Sequence, residues 1–124
     1  MEQPMMKTTF GVKKIFSLKS DNPYVAFLTD NVTASPREAV AIAFKGRDKT
    51  KSFGTPTFGV STGNRVHILS DGSRINLTES LFADRNKIKY GNSVYPDMKC
   101  DDNKTLEEAI KWILNQQSKT TTEK

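Results

Sequence analysis

Three observations predict an α/β fold. An unbroken apolar run, Tyr24 to Leu28, leads through a turn into an apolar helix beginning at Pro36. A tight reversal at Asp71-Gly72 separates two strand-like runs, and an amphipathic helix from Leu106 closes the domain. The first run carries no polar residue to mark a wet face, which suits a strand covered on both sides. Asp21-Asn22-Pro23 ahead of it is turn chemistry. Earlier still, Met1 to Lys7 reads as a loose start and Thr8 to Leu18 holds enough apolar residues for one further strand. Residues 1–20 therefore form an N-terminal extension to a domain at 21–116.

The helix from Pro36 to Lys45 is apolar nearly all round, at Ala39, Val40, Ala41, Ile42, Ala43 and Phe44, so it is expected to be buried; Gly46 supplies its stop. A two-residue turn at Asp71-Gly72 sets Ile68 opposite Ile75 and Val66 opposite Leu77. These four then form a core face, with His67, Arg74, Asn76 and Leu69 on the other. Ser80 to Ala83 and Lys87 to Tyr90 are strand-like, divided by a turn at Asp84-Arg85-Asn86. The last helix opens with Thr105 and Glu108 spaced as a capping box, and Leu106, Ala109, Ile110, Ile113 and Leu114 form one stripe. Trp112 lies off that stripe and faces either a neighbouring element or a partner. Residues 117–124 are polar and expected to be disordered.

Composition narrows the function classes. The 124 residues have room for one domain with a core of its own. A hydrophobic share of 35% and a mean hydropathy of -0.57 fit a soluble protein. No apolar run approaches the roughly 20 residues of a membrane span, and the first residues lack the apolar stretch of an export signal. Cys100 is the single cysteine, which excludes an internal disulfide and leaves the compartment open. The net charge of +5 and pI of 9.4 invite a nucleic-acid partner, and Lys45, Arg47, Lys49 and Lys51 cluster. Gly46 and Asp48 interrupt that cluster, no aromatic residue is interleaved, and a helix C-terminus favours cations there, so nucleic acid is not expected. Asp97, Asp101 and Asp102 with Cys100 match no metal-ligand spacing, and Gly54, Gly59 and Gly63 do not sit as a phosphate loop requires. Neither a metal nor a cofactor is expected.

The most informative segment is Thr33-Ala34-Ser35-Pro36-Arg37-Glu38, at the corner between the first strand and the first helix. A serine on such a corner can be exposed as a nucleophile, with the helix N-terminus favouring developing negative charge. The same letters form a capping box, Ser35 with Glu38, and Pro36 suits the first helical position. Both readings stand on those six residues.

Downstream come Phe53-Gly54-Thr55-Pro56-Thr57-Phe58-Gly59, the turn Ser70-Asp71-Gly72-Ser73, then Val94-Tyr95-Pro96-Asp97 and the closing helix. In this order, from about Tyr24 to Leu114, the chain resembles the C-terminal part of the catalytic core of tail-specific, or C-terminal processing, serine peptidases. The resemblance implies a core of short β-β-α units like that of the crotonases and Clp peptidases. It implies hydrolysis of peptide bonds by Ser35 as nucleophile, with Glu38 as the accompanying acid. It also implies a substrate cleft shaped by Gly54, Thr55, Thr57, Gly59 and Val60, which would take C-terminal or unfolded polypeptide segments.

Many members of that family take the general base from a lysine 25 residues past the serine, where this chain has Val60, which cannot accept a proton. A second branch, that of the tricorn core and nisin-resistance-type proteins, uses a histidine far upstream of the serine, and the end of the first helix, Ala41 to Gly46, looks closer to that branch. The single histidine here, His67, lies downstream. The base is therefore expected from a missing N-terminal half, in a parent that the resemblance leaves free to be exported or membrane-anchored. The isolated chain is expected to be inactive or very weak and, lacking cover for its apolar helix, to self-associate. Pro36 sharpens this, because the residue after the nucleophile commonly donates its N–H to the oxyanion, a bond worth about 3 kcal/mol, and proline has none. Val60 and Pro36 also suit the alternative of a non-catalytic peptide-binding or structural module on the same scaffold.

Overall fold

The computed structural model describes residues 19–122. The expected strand at Thr8 to Leu18 lies outside them. The elements are β1 (Val25–Thr29), α1 (Pro36–Phe44), β2 (Thr50–Gly54), β3 (Thr62–Ile68), β4 (Arg74–Leu81), β5 (Met98–Lys99) and α2 (Asp102–Thr122). β1, β2 and β5 form one sheet in the order β1-β2-β5, with both pairings parallel. β3 and β4 form a separate antiparallel pair.

Side-chain alternation along β1 builds three layers. Phe27 points to one face, where its ring lies 6.0 Å from that of Phe44 in α1. On the opposite face Tyr24 meets Trp112 of α2 edge-on at 5.9 Å, and Phe53 of β2 lies 6.0 Å from the same indole. Trp112 thus covers the sheet, and Ala41, Ile42, Phe53, Val94 and Ala109 form the buried apolar core. No buried side-chain polar atom among the described residues lacks a hydrogen-bond partner.

Cover is incomplete where the sequence predicted it. In α1 only Glu38, Ala41 and Ile42 are buried, and Val40 stays exposed. Leu28 of β1 is 45% exposed, and so are Leu106, Ile110 and Leu114 of the α2 stripe to a similar degree. The aromatic packing onto Trp112 sets the rotation of α2, which buries Ala109 of this stripe and leaves Leu106, Ile110 and Leu114 turned outward.

The hairpin register differs by one residue from the expected pairing. Leu69 N–H donates to Ser73 O at 2.8 Å and Gly72 N–H to Leu69 O at 2.9 Å. Asp71 accepts from both the N–H and the hydroxyl of Ser73. The loop thus has three residues, Ser70 to Gly72, with Gly72 in the left-handed region at φ 83. His67 faces Ile75, Val66 faces Asn76 and Ile68 faces Arg74. A shift of one residue changes which side chains share a face, so Val66 and Ile68 lie opposite in sense to Ile75 and Leu77, and all four are exposed. No core face exists on this arm.

Three boundaries also move. The Ser80 to Ala83 run is largely the end of β4, and beyond it Ala83 forms only a bridge to Lys89. α2 begins a turn before the expected cap. Thr105 is buried inside it, donating both its N–H and its hydroxyl to Asp101 O. Residues 117–122, expected to be disordered, continue the helix.

Candidate active site

The chain leaves β1 through a turn held by Asp30, whose carboxylate accepts from Val32 N–H and the Thr33 hydroxyl. Two residues on, Ser35 adopts φ 50 and ψ -110, a conformation unfavourable for a residue with a Cβ, and is exposed at the N-terminus of α1. Its N–H donates to Glu38 Oε2 at 2.9 Å. Its hydroxyl faces the Glu38 amide across the other half of the capping box but forms no cap hydrogen bond of good geometry.

Glu38 does much more than cap. It is fully buried, and its carboxylate gathers four donors. Oε1 accepts the Thr57 hydroxyl at 2.6 Å and Gly59 N–H at 2.8 Å, and Oε2 accepts Val60 N–H at 3.0 Å besides Ser35 N–H. Burial pushes this carboxyl up, but the hydrogen bonds from Thr57, Gly59, Ser35 and Val60 outweigh it and hold the pKa below its ordinary value. The loop and the corner are also joined by Phe58 N–H donating to Thr33 O at 2.9 Å. Thr57 in turn accepts Val94 N–H at 2.8 Å, so the Val94-Tyr95-Pro96-Asp97 turn buttresses the same network.

The residues expected to shape a cleft take different places. Gly59 and Val60 lie beside the Ser35 corner through the shared carboxylate. Thr57 is buried beneath it. Gly54 and Thr55 instead secure the end of β1: Thr55 N–H donates to Thr29 O at 3.0 Å, and a Cβ on Gly54, at φ 123, would stand 2.0 Å from that same oxygen. Sequence reasoning missed Phe58, which projects from this loop 65% exposed, and it underrated Glu38, because a capping box explains the carboxylate without its three loop partners. The threonine and glycine of the loop were the available signal.

Among the described residues no histidine or lysine is hydrogen-bonded to Ser35. His67 pairs with Glu79 on the exposed arm. Lys45, at the far end of α1, is held by Asp97 at 2.9 Å, Tyr95 O at 2.8 Å and the buried Ser52 hydroxyl at 3.1 Å. Asp97 also takes Ser52 N–H and hydroxyl; burial raises its pKa, but those bonds and Lys45 prevail and lower it. The rest of the basic cluster is engaged by its own chain. Arg47 holds Asn22, Pro23 O and Thr50, Lys49 lies over Tyr24 and Lys51 over Phe53. No group of three or more His, Cys, Asp or Glu among the described residues is placed to hold a metal ion, and no described helix is long and apolar enough to cross a membrane.

The sequence model of peptidase family S41 matches residues 5–100. The chain is similar to the nisin-resistance protein of Lactococcus lactis subsp. lactis, at 33% identity over 93 residues, 74% of this chain and 29% of that protein. It is also similar to a solved lipoprotein from Streptococcus agalactiae, with a TM-score of 0.63 and 35% identity, covering 73% of this chain and 31% of that one. The chain thus spans about a third of the length of these relatives.

Proposed function

We propose, from the premise that the chain belongs to peptidase family S41, that it forms the nucleophile side of a serine-peptidase site whose general base lies outside the described residues. The observation that carries this reading is the backbone of Ser35, a non-glycine residue held at φ 50 with its side chain exposed at a helix N-terminus. A serine serving only as a cap does not require backbone strain of this kind, whereas a nucleophile on a sharp strand-to-helix turn does. The base takes the Ser35 proton as Oγ attacks the peptide carbonyl. It then returns that proton to the leaving amine, and water releases the acyl group. Glu38 is a positioning residue, fixing Ser35 and the Gly59-Val60 segment against each other. The substrate is polypeptide, taken through C-terminal or unfolded segments.

A second reading, a non-catalytic peptide-binding module, is favoured by a specific observation. Pro36 has no N–H, and the amides of Ser35, Gly59 and Val60 are all directed to Glu38, so these donors are not free for an oxyanion.

A fluorophosphonate probe separates the two. The chain alone is expected to label slowly or not at all. Joined to the portion of the Lactococcus relative that it does not match, it is expected to label at Ser35, and Ser35→Ala is expected to abolish this. No label in the joined protein, with peptide binding that survives Ser35→Ala, rejects the peptidase reading in favour of the module.

A further inference from the structure

We infer that Lys45 and Asp97, at the opposite end of α1 from Ser35, are positioning residues for the Ser35 corner, closing a ring of bonds that fixes the Gly59-Val60 segment against it. Its consequence for reactivity rests on the reading of Ser35 as a nucleophile; the ring itself does not. Lysine is rarely buried unless its ammonium is paired. Lys45, the residue that ends α1, keeps only 13% of its side chain exposed, and its three protons go to three acceptors. These are Ser52 Oγ at 3.1 Å, Tyr95 O at 2.8 Å and Asp97 Oδ1 at 2.9 Å. The Ser52 hydroxyl is equally committed, donating to Asp97 Oδ2 at 2.6 Å and accepting Asp97 N–H at 2.9 Å besides Lys45. An exposed ion pair leaves both side chains free to wander, whereas a shielded cation with every donor engaged has one geometry.

Each partner of Lys45 leads back to the corner. Ser52 lies in β2, which runs on into the loop that carries Thr57. Tyr95 follows Val94, and Val94 and Thr57 bind reciprocally: Thr57 N–H donates to Val94 O at 3.1 Å, and Val94 N–H to Thr57 Oγ1 at 2.8 Å. The Thr57 hydroxyl then donates to Glu38 Oε1 at 2.6 Å, in the first turn of α1. α1 has 9 residues, about 13 Å from end to end. It is thus tied to the loop at its start through Glu38 and to the turn before β5 at its finish through Lys45. Val94 and Thr57 join that turn to that loop, so the loop cannot slide along α1 without breaking a bond at one end or the other.

Such a ring matters to chemistry because a misplacement of about 1 Å in a reacting pair costs about a hundredfold in rate. Glu38 alone sets the distance from Ser35 to Gly59 and Val60; the tie at the far end of the helix removes the remaining freedom to tilt. Arg85 also holds this end of α1, donating to Ala43 O at 2.8 Å, so the helix keeps an anchor when Lys45 is replaced.

The test is hydrogen exchange on the full chain with Lys45→Met. Gly59 and Val60 amides are expected to exchange at least tenfold faster, while Val25 N–H, bonded to Lys49 O within the sheet at 2.8 Å, changes less than threefold. In a Glu38→Gln background, Lys45→Met is expected to add less than twofold at Gly59 and Val60, because the link it acts through is already broken. Lys111→Ala, which removes an exposed ion pair on α2, is expected to change none of these amides. Should Lys45→Met not fold, Lys45→Gln is the milder break, with the same two amides expected to speed at least threefold. In the chain joined to the non-matching portion of the Lactococcus relative, Lys45→Met is expected to slow fluorophosphonate labelling of Ser35 at least tenfold per folded molecule. The inference is overturned if Gly59, Val60 and Val25 all speed by one factor, which marks a role in stability alone, or if Gly59 and Val60 do not change. It is also overturned if the two substitutions act independently, or if labelling of the joined protein is undiminished. Selective exchange at Gly59 and Val60, with no labelling of the joined native protein, upholds the ring and rejects the peptidase reading.

Discussion

Replacing Glu38 by glutamine tests the network most directly. The carboxylate offers acceptors on both oxygens to four donors, Ser35 N–H, Val60 N–H, Thr57 hydroxyl and Gly59 N–H, all within 3.0 Å. An amide keeps one acceptor oxygen, and its NH2 confronts the two donors on the other side. The Thr57 hydroxyl can rotate away, but a backbone N–H cannot, so at least one part-buried backbone amide loses its acceptor and the survivors lose the charge that strengthens them. With a lost or unsatisfied bond to a charged group worth roughly 1.5–3 kcal/mol, Glu38→Gln is expected to destabilise by about 3 kcal/mol. The assay is urea unfolding of the full chain, with hydrogen exchange at Gly59 and Val60 locating the loss. A change below about 1 kcal/mol, with both amides still protected, would refute the account of Glu38 as the tie between loop and corner.

Acid should reveal the same group. The folded pKa of Glu38 is depressed below its ordinary value of 4.5, so its contribution is complete above 4.5 and fades as pH falls through the folded value. Urea midpoints of the native chain are expected to drop below pH 4.5, and those of Glu38→Gln to drop less; parallel curves would contradict this. Gly54→Ala, with its Cβ set 2.0 Å from Thr29 O at φ 123, is expected to cost about 3 kcal/mol or more, read as a lowered Tm. Ser35→Gly is expected to be more stable than Ser35→Ala by about 1 kcal/mol, since only the Cβ resists φ 50, and equal stability would show that the corner holds no strain. Asp97→Ala leaves the buried Ser52 N–H and hydroxyl without their acceptor and is expected to destabilise by about 2 kcal/mol in the same urea assay.

Local chemistry accounts for what could be read early. Continuous apolar character marked β1, Pro36 and Gly46 bounded the first helix, and the corner residues singled out Ser35 as the position to question. Capping, however, was a sufficient local reason for Glu38, and only the return of the Thr57 to Val60 loop from 19 or more residues away disclosed its other donors. The hairpin slipped by one residue because a three-residue loop and a two-residue loop share the same Asp-Gly letters, and the choice rests on the bonds between Leu69 and Ser73.

By itself, the order of residues determined the α/β alternation, the serine at the strand-to-helix corner, and the absence of a lysine at position 60. Those follow from side-chain type and spacing, which act within a few residues. Tertiary structure alone decided that the glutamate is a four-way junction, that Trp112 faces the sheet while Leu106, Ile110 and Leu114 stay exposed, and that β1 is the end strand of its sheet among the described residues. Each depends on which distant segments come to share one space, and a pattern confined to one strand or helix carries no record of what packs beside it.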